Sequence, residues 1–69
     1  MARRVYRFVV TGEMGLAMRE AFGDLHVRTE HGRTELTGEL DQPAVYSVLD
    51  RLQGLGLDLV DLSVEDDQA

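Results

Sequence analysis

The chain has 69 residues, 43% of them hydrophobic and 29% charged, with 13 acidic against seven basic residues and a formal charge of −6. That describes one folded domain near the lower size at which a hydrophobic core holds a structure unaided, and excludes a disordered chain. With no cysteine to form a disulfide or a thiolate metal site, self-association is the expected source of further stability.

Net acidity disfavours a nucleic-acid partner, whose phosphates are repelled at long range. No apolar run approaches the ~20 residues needed to span a bilayer, and Met1-Ala2-Arg3-Arg4 is not followed by a signal-type apolar stretch, so the expected location is the cytoplasm, with no membrane contact. All seven basic residues are arginine, and Lys, Asn and Ile are absent. These are the residues with codons rich in A and T, so a high-GC genome accounts for the pattern and the arginines are not by themselves evidence of phosphate recognition.

Residues 4–10 are β-branched and aromatic enough for a first strand, with Tyr6, Phe8 and Val10 on one face and Val5, Arg7 and Val9 on the other. Thr11-Gly12 ends it. From Glu13 to Phe22 the apolar residues Met14, Ala17, Met18, Ala21 and Phe22 recur at the spacing of a helix with one buried stripe, closed by Gly23-Asp24.

Leu25 to Leu40 reads as a hairpin around His31-Gly32, a pair suited to positive φ. This turn sets Glu30 opposite Arg33, Thr29 opposite Thr34, Arg28 opposite Glu35, Val27 opposite Leu36, His26 opposite Thr37 and Leu25 opposite Gly38. One face then carries Leu25, Val27, Thr29, Thr34 and Leu36, and a slip of one residue would mix apolar and charged side chains, so the register is well specified.

Asp41-Gln42-Pro43 signals a helix start, a capping Asp followed by a proline in the first turn. Val45, Val48, Leu49 and Leu52 supply the apolar stripe. Gly54 and Gly56 mark the stop, with Leu55 folding back onto the last turn. A final strand is expected from Leu57 to Val64, with Val60, Leu62 and Val64 on one face and Leu59, Asp61 and Ser63 on the other. Residues 65–69 form an acidic, frayed tail.

The order β-α-β-β-α-β predicts an α+β, ferredoxin-like two-layer sandwich spanning residues 1–69, with two helices on one face of a four-stranded antiparallel sheet. It also places Arg3 and Arg4 near Glu65, Asp66 and Asp67.

The open face of that sheet is the expected working surface. Val5, Val9 and Leu59 form a small apolar centre ringed by Arg7, Arg28, Thr37, Glu35, Glu39 and Asp61, in the manner of a homodimer interface. It has no aromatic side chains on the central strands for stacking RNA bases. His26 and His31 fall on different parts of the hairpin, and no paired-ligand spacing points to a metal. Ser47 and Ser63 lie away from both histidines, so a nucleophile and base pair is lacking and no catalytic residue is assigned. If the chain were an enzyme, His26, Glu30 and Glu39 would be its only candidates. No cofactor is implied. The loop Gly12-Glu13-Met14-Gly15 is the most suggestive ligand site, since two glycines at a strand-to-helix junction let backbone approach a ligand.

The order of elements, the loop from Gly12 to Ala17 and the segment from Val48 to Leu52 running on to Val64 resemble an ACT-type domain. ACT domains are regulatory modules that bind amino acids or other small effectors, commonly between associated copies. The resemblance implies an effector near Gly12, Glu13 and Gly15, although the family's Asp before the loop is missing. The segment from Thr34 to Gln42, with Leu55-Gly56-Leu57, is also similar to short stand-alone proteins of high-GC actinobacteria. The expected function is that of a small non-enzymatic, self-associating regulatory protein; the alternatives are an ACT-like effector binder and a small dimeric enzyme.

Overall fold

The computed structural model describes residues 2–13 and 15–65. Along the chain run strand β1 (Arg4–Thr11), helix α1 (Gly15–Ala21), strands β2 (His26–Glu30) and β3 (Arg33–Leu40), helix α2 (Gln42–Gly54) and strand β4 (Leu59–Val64). The strands form one four-stranded sheet in the order β2-β3-β1-β4, with each neighbouring pair antiparallel. The fold is therefore α+β, an open antiparallel sheet with two helices.

The β2–β3 register is the one the turn demands: Glu30 pairs with Arg33, Arg28 with Glu35, Val27 with Leu36 and His26 with Thr37. His31 and Gly32 both take positive φ, 55° and 77°, the backbone of a tight two-residue hairpin turn. β1 then lies along the other side of β3, setting Phe8 opposite Leu36 and Val10 opposite Thr34. Tyr6 faces Gly38, where an added Cβ would run into the Leu25 side chain, so the glycine leaves room for a leucine that packs against the core.

One core cluster draws on both helices and the same side of the sheet: Phe8 and Val10 of β1, Met18 and Phe22 near α1, Leu36 and Leu40 of β3, and Val45, Val48 and Leu52 of α2. Arg51 ties the helices together. Its guanidinium donates to the Ala21 carbonyl at 3.0 Å and lies 5.5 Å over the Phe22 ring, combining a helix-end contact with a cation–π contact.

Both helices differ in detail from the expectation. α1 begins at Gly15 rather than Glu13, and the Glu13 carboxylate accepts the Gly32 N–H of the hairpin turn at 2.6 Å. Ala17 of the predicted stripe is exposed, while Met18 and Phe22 are fully buried. Met14 and residues 66–69, the greater part of the expected acidic tail, lie outside the described residues. α2 starts as expected, with the Asp41 carboxylate accepting the Ala44 N–H at 3.0 Å.

The end of α2 is where the reading of the glycines is corrected. Gly56, at φ 74°, is the left-handed residue just beyond the helix. Its N–H bonds to the Gln53 carbonyl, and the Leu57 N–H reaches back to the Leu52 carbonyl, a Schellman closure. Leu57 is therefore the leucine that packs back on the core, and Leu55 stands half-exposed. With Leu57 used in this way, β4 begins at Leu59.

β4 carries the largest departure. Val9 pairs with Asp61 but Val10 pairs with Leu59, so Val60 is an extra residue, a β-bulge. Beyond the bulge the two-residue alternation is reset. Leu59, expected on the open face beside Asp61 and Ser63, instead shares the side of Val10, while Val60 turns to the hollow on the open face. As an edge strand β4 is incompletely covered, and Leu59, Val60, Leu62 and Val64 are four of the seven large hydrophobic residues left exposed among the described residues.

The β1 and β4 ends meet as expected, with the Glu65 N–H bonded to the Val5 carbonyl. The ion partners are different: among the described residues Glu65 meets Arg7, and Arg3 donates to the Glu39 carbonyl.

Because Leu36 has no solvent exposure and belongs to the core cluster that takes side chains from β1 and both helices, Leu36→Ala should cost about 2–5 kcal/mol, a large part of the stability of so small a domain. Urea unfolding followed by circular dichroism measures it; a loss below ~1 kcal/mol would contradict this description of the core.

Candidate functional site

The side of the sheet turned away from the core cluster carries Val5, Arg7 and Val9 of β1, Glu35, Thr37 and Glu39 of β3, and Arg28 and Glu30 of β2. The strand registers thus bring together Val5, Arg7, Val9, Arg28 and Thr37 of the expected interface, and the bulge removes Leu59 from that set. Val9 is 7% exposed yet lies outside the helix-side cluster, because it is buried among side chains of the outer face.

Around Val9 the face is hollowed. A concavity of about 430 Å³ is lined by Arg7, Val9, Arg28, Glu30, His31, Arg33, Glu35, Val60 and Asp61. Three of the chain's seven arginines meet there with three carboxylates over two valines.

Arg7 is the most heavily engaged of these groups. Its Nε donates to Glu35 Oε2 at 2.6 Å, with Glu65 at 3.7 Å and Asp61 at 3.9 Å. The Glu35 hydrogen bond, then the Glu35 charge, raise the Arg7 pKa, with lesser help from Glu65 and Asp61 and against the cost of desolvation. A cation with a raised folded-state pKa contributes stability that is complete below the unfolded value and lost only as pH rises through the folded one. Arg7 therefore keeps its charge throughout the neutral and mildly alkaline range. Arg28 meets Glu30 at 3.1 Å, and Glu30 also faces His31 Nδ1 at 3.6 Å. The Arg33 side chain has neither hydrogen bond nor ion pair among the described residues.

The hairpin tip that forms one wall is anchored from across the sheet. The Gly12 N–H donates to the Gly32 carbonyl at 2.7 Å, the Gly32 N–H to the Glu13 carboxylate at 2.6 Å, and the buried Thr34 hydroxyl to the Gly12 carbonyl at 2.6 Å. Gly12 takes φ 93° to make this turn. The Gly12 and Glu13 groups expected to meet a ligand are thus engaged with the hairpin, and α1, with seven residues, follows at Gly15.

His26, Glu30 and Glu39 are not brought together. Only Glu30 lines the hollow, and it lies with His31, the turn residue, whose side chain is 86% exposed. Among the described residues no three histidine, cysteine or acidic side chains cluster in a way that could hold a metal, and no helix is long and apolar enough to cross a membrane. His31, Arg33 and Val60 are hollow residues that sequence reasoning did not select. For Arg33 a signal existed, since the turn register already set it opposite Glu30 on the outer face; Val60 had none, because the bulge depends on pairing with β1.

Glu13→Ala should leave the fold intact and raise amide hydrogen exchange at Gly32 several-fold, since it removes the charged acceptor of that N–H. Unchanged exchange at Gly32 would show that the carboxylate does not hold the tip.

No curated protein and no solved structure matches the chain. A family model described as "Domain of unknown function (DUF8691)" matches residues 5–63. Most of the sheet and both helices fall within that span, and the chain belongs to this family.

Proposed function

We propose that the protein is a small non-enzymatic interaction module that associates with a second copy of itself through the uncovered face of the sheet. The observation that carries this reading is the Val9 floor: an apolar side chain already buried on the outer face, with Val60 beside it and a rim of arginines and carboxylates around both. Apolar centre and charged rim are how protein interfaces are built. The charged groups of the centre are largely paired within the chain, Arg7 with Glu35 above all, so covering them leaves few orphaned charges. Assignment to the ferredoxin-like βαββαβ arrangement is part of the same proposal, supported by the order β2-β3-β1-β4 with antiparallel neighbours. In folds of this kind the helices occupy one side, which leaves the other available for binding.

The face is modest in apolar area compared with the roughly 800 Å² per partner of a stable interface. Association should accordingly be reversible and concentration-dependent. Sedimentation velocity across a wide concentration range should show a monomer–dimer equilibrium that the double variant Val60→Glu, Thr37→Glu shifts at least about ten-fold toward monomer. A wild-type chain that stays monomeric at millimolar concentration would overturn the proposal.

A further inference from the structure

We propose that the hollow on the uncovered sheet face binds a small organic anion, a carboxylate or phosphate monoester with a short apolar body, its charged end taken by Arg33 together with Arg28 and its body resting on Val9 and Val60.

The lining balances three arginines against three carboxylates, and it is the pattern of pairing among them that leads to this ligand class. Glu35 is committed to Arg7, with Asp61 close to the same guanidinium, and Glu30 is shared between Arg28 and His31. The Arg33 side chain, with no hydrogen bond or ion pair among the described residues, is the arginine of the hollow that is not directly engaged. Arg28 and Arg33 stand on adjacent strands, each opposite a carboxylate, Glu35 and Glu30 respectively, so they are diagonal neighbours on one face. Guanidinium forks suit the planar or tetrahedral oxygens of a carboxylate or phosphate, and Arg28, now on Glu30 at 3.1 Å, is the neighbour that can share such an anion with Arg33.

Shape supports the same conclusion. A volume of about 430 Å³ falls within the range of small-molecule sites. The bulge at Val60 costs β4 a regular ladder pair and turns an apolar side chain into the hollow opposite Val9. Bulges of this kind re-aim side chains at binding sites. The wall bearing His31 and Arg33 is held in advance by the three hydrogen bonds that join the hairpin tip to Gly12 and Glu13, so little ordering is required on binding. The site is separate from the Gly12-to-Gly15 loop and does not depend on self-association; in a dimer built on this face it would lie at the boundary between copies.

The test is a titration followed by amide chemical shifts, with isobutyrate, isopropyl phosphate and inorganic phosphate as probes, at a protein concentration where sedimentation shows the monomer. Saturable shifts centred on Val9, Arg28, Arg33 and Val60 with either organic probe are expected, and the probe that binds assigns carboxylate or phosphate. Inorganic phosphate should bind more weakly than its ester, since it lacks the body that the valines cover. Arg33→Gln, an exposed change that leaves the core intact, should weaken the organic probe by roughly ten-fold or more. Absence of saturable shifts at these four residues, or equal affinity in Arg33→Gln, would overturn the proposal. Because the readout is taken on the monomer, failure here leaves the dimer reading standing, and a strictly monomeric protein leaves this one standing.

Discussion

Phe8 and Leu36 face each other across the central strand pair, both without solvent exposure, and the other elements are arranged about that contact. It joins strands 28 positions apart in the chain and gives the helices a single surface to cover. Met18 and Phe22 reach the core from one helix region and Val45, Val48 and Leu52 from the other. A chain of this size has little reserve, so burial concentrated around one contact is what makes so small a core sufficient. The consequence for function is geometric: covering one side of the sheet leaves the opposite side, with Arg7, Val9 and Arg28, free of helices.

The uncovered face is shaped by two local devices. One is the tie between the hairpin tip and the β1 end, in which Gly12, Glu13, Gly32 and Thr34 satisfy one another's polar groups. It engages Glu13 with the hairpin and holds the turn that precedes Arg33. The other is the bulge in β4, which transfers Leu59 to the helix side and Val60 to the hollow. A bulge also disturbs the outer edge of a strand on which four large hydrophobic side chains are exposed, and Asp61 adds charge there, both of which oppose indiscriminate edge-to-edge pairing.

The Arg7 cluster illustrates why the outer face tolerates so many charges. A guanidinium bonded to one carboxylate and close to two more is stabilised in its charged form, while the carboxylates avoid facing one another uncompensated. Exposure screens each pair, so the cluster organises the surface more than it stabilises the fold. What it provides is a fixed polar rim beside a small apolar floor, which suits a surface that meets another molecule.

Much of this was legible in the chain itself, for a physical reason: local periodicity and turn chemistry act over a few residues. His31-Gly32 determined the hairpin register, alternation assigned Val27 and Leu36 to the inner face and Arg28 and Glu35 to the outer, and Asp41 with Pro43 marked the start of α2. Tertiary structure decided what depends on partners distant in sequence. The bulge at Val60 arises from how β4 lies against β1, the Glu13 contact spans 19 positions, and the choice of Leu57 over Leu55 follows from which one the core can reach. The same holds for Glu65, which meets Arg7 rather than the arginines nearest the chain start. Each of these relations is fixed only once the sheet has assembled, because hydrogen bonding and packing between strands, not preferences along one strand, set their geometry.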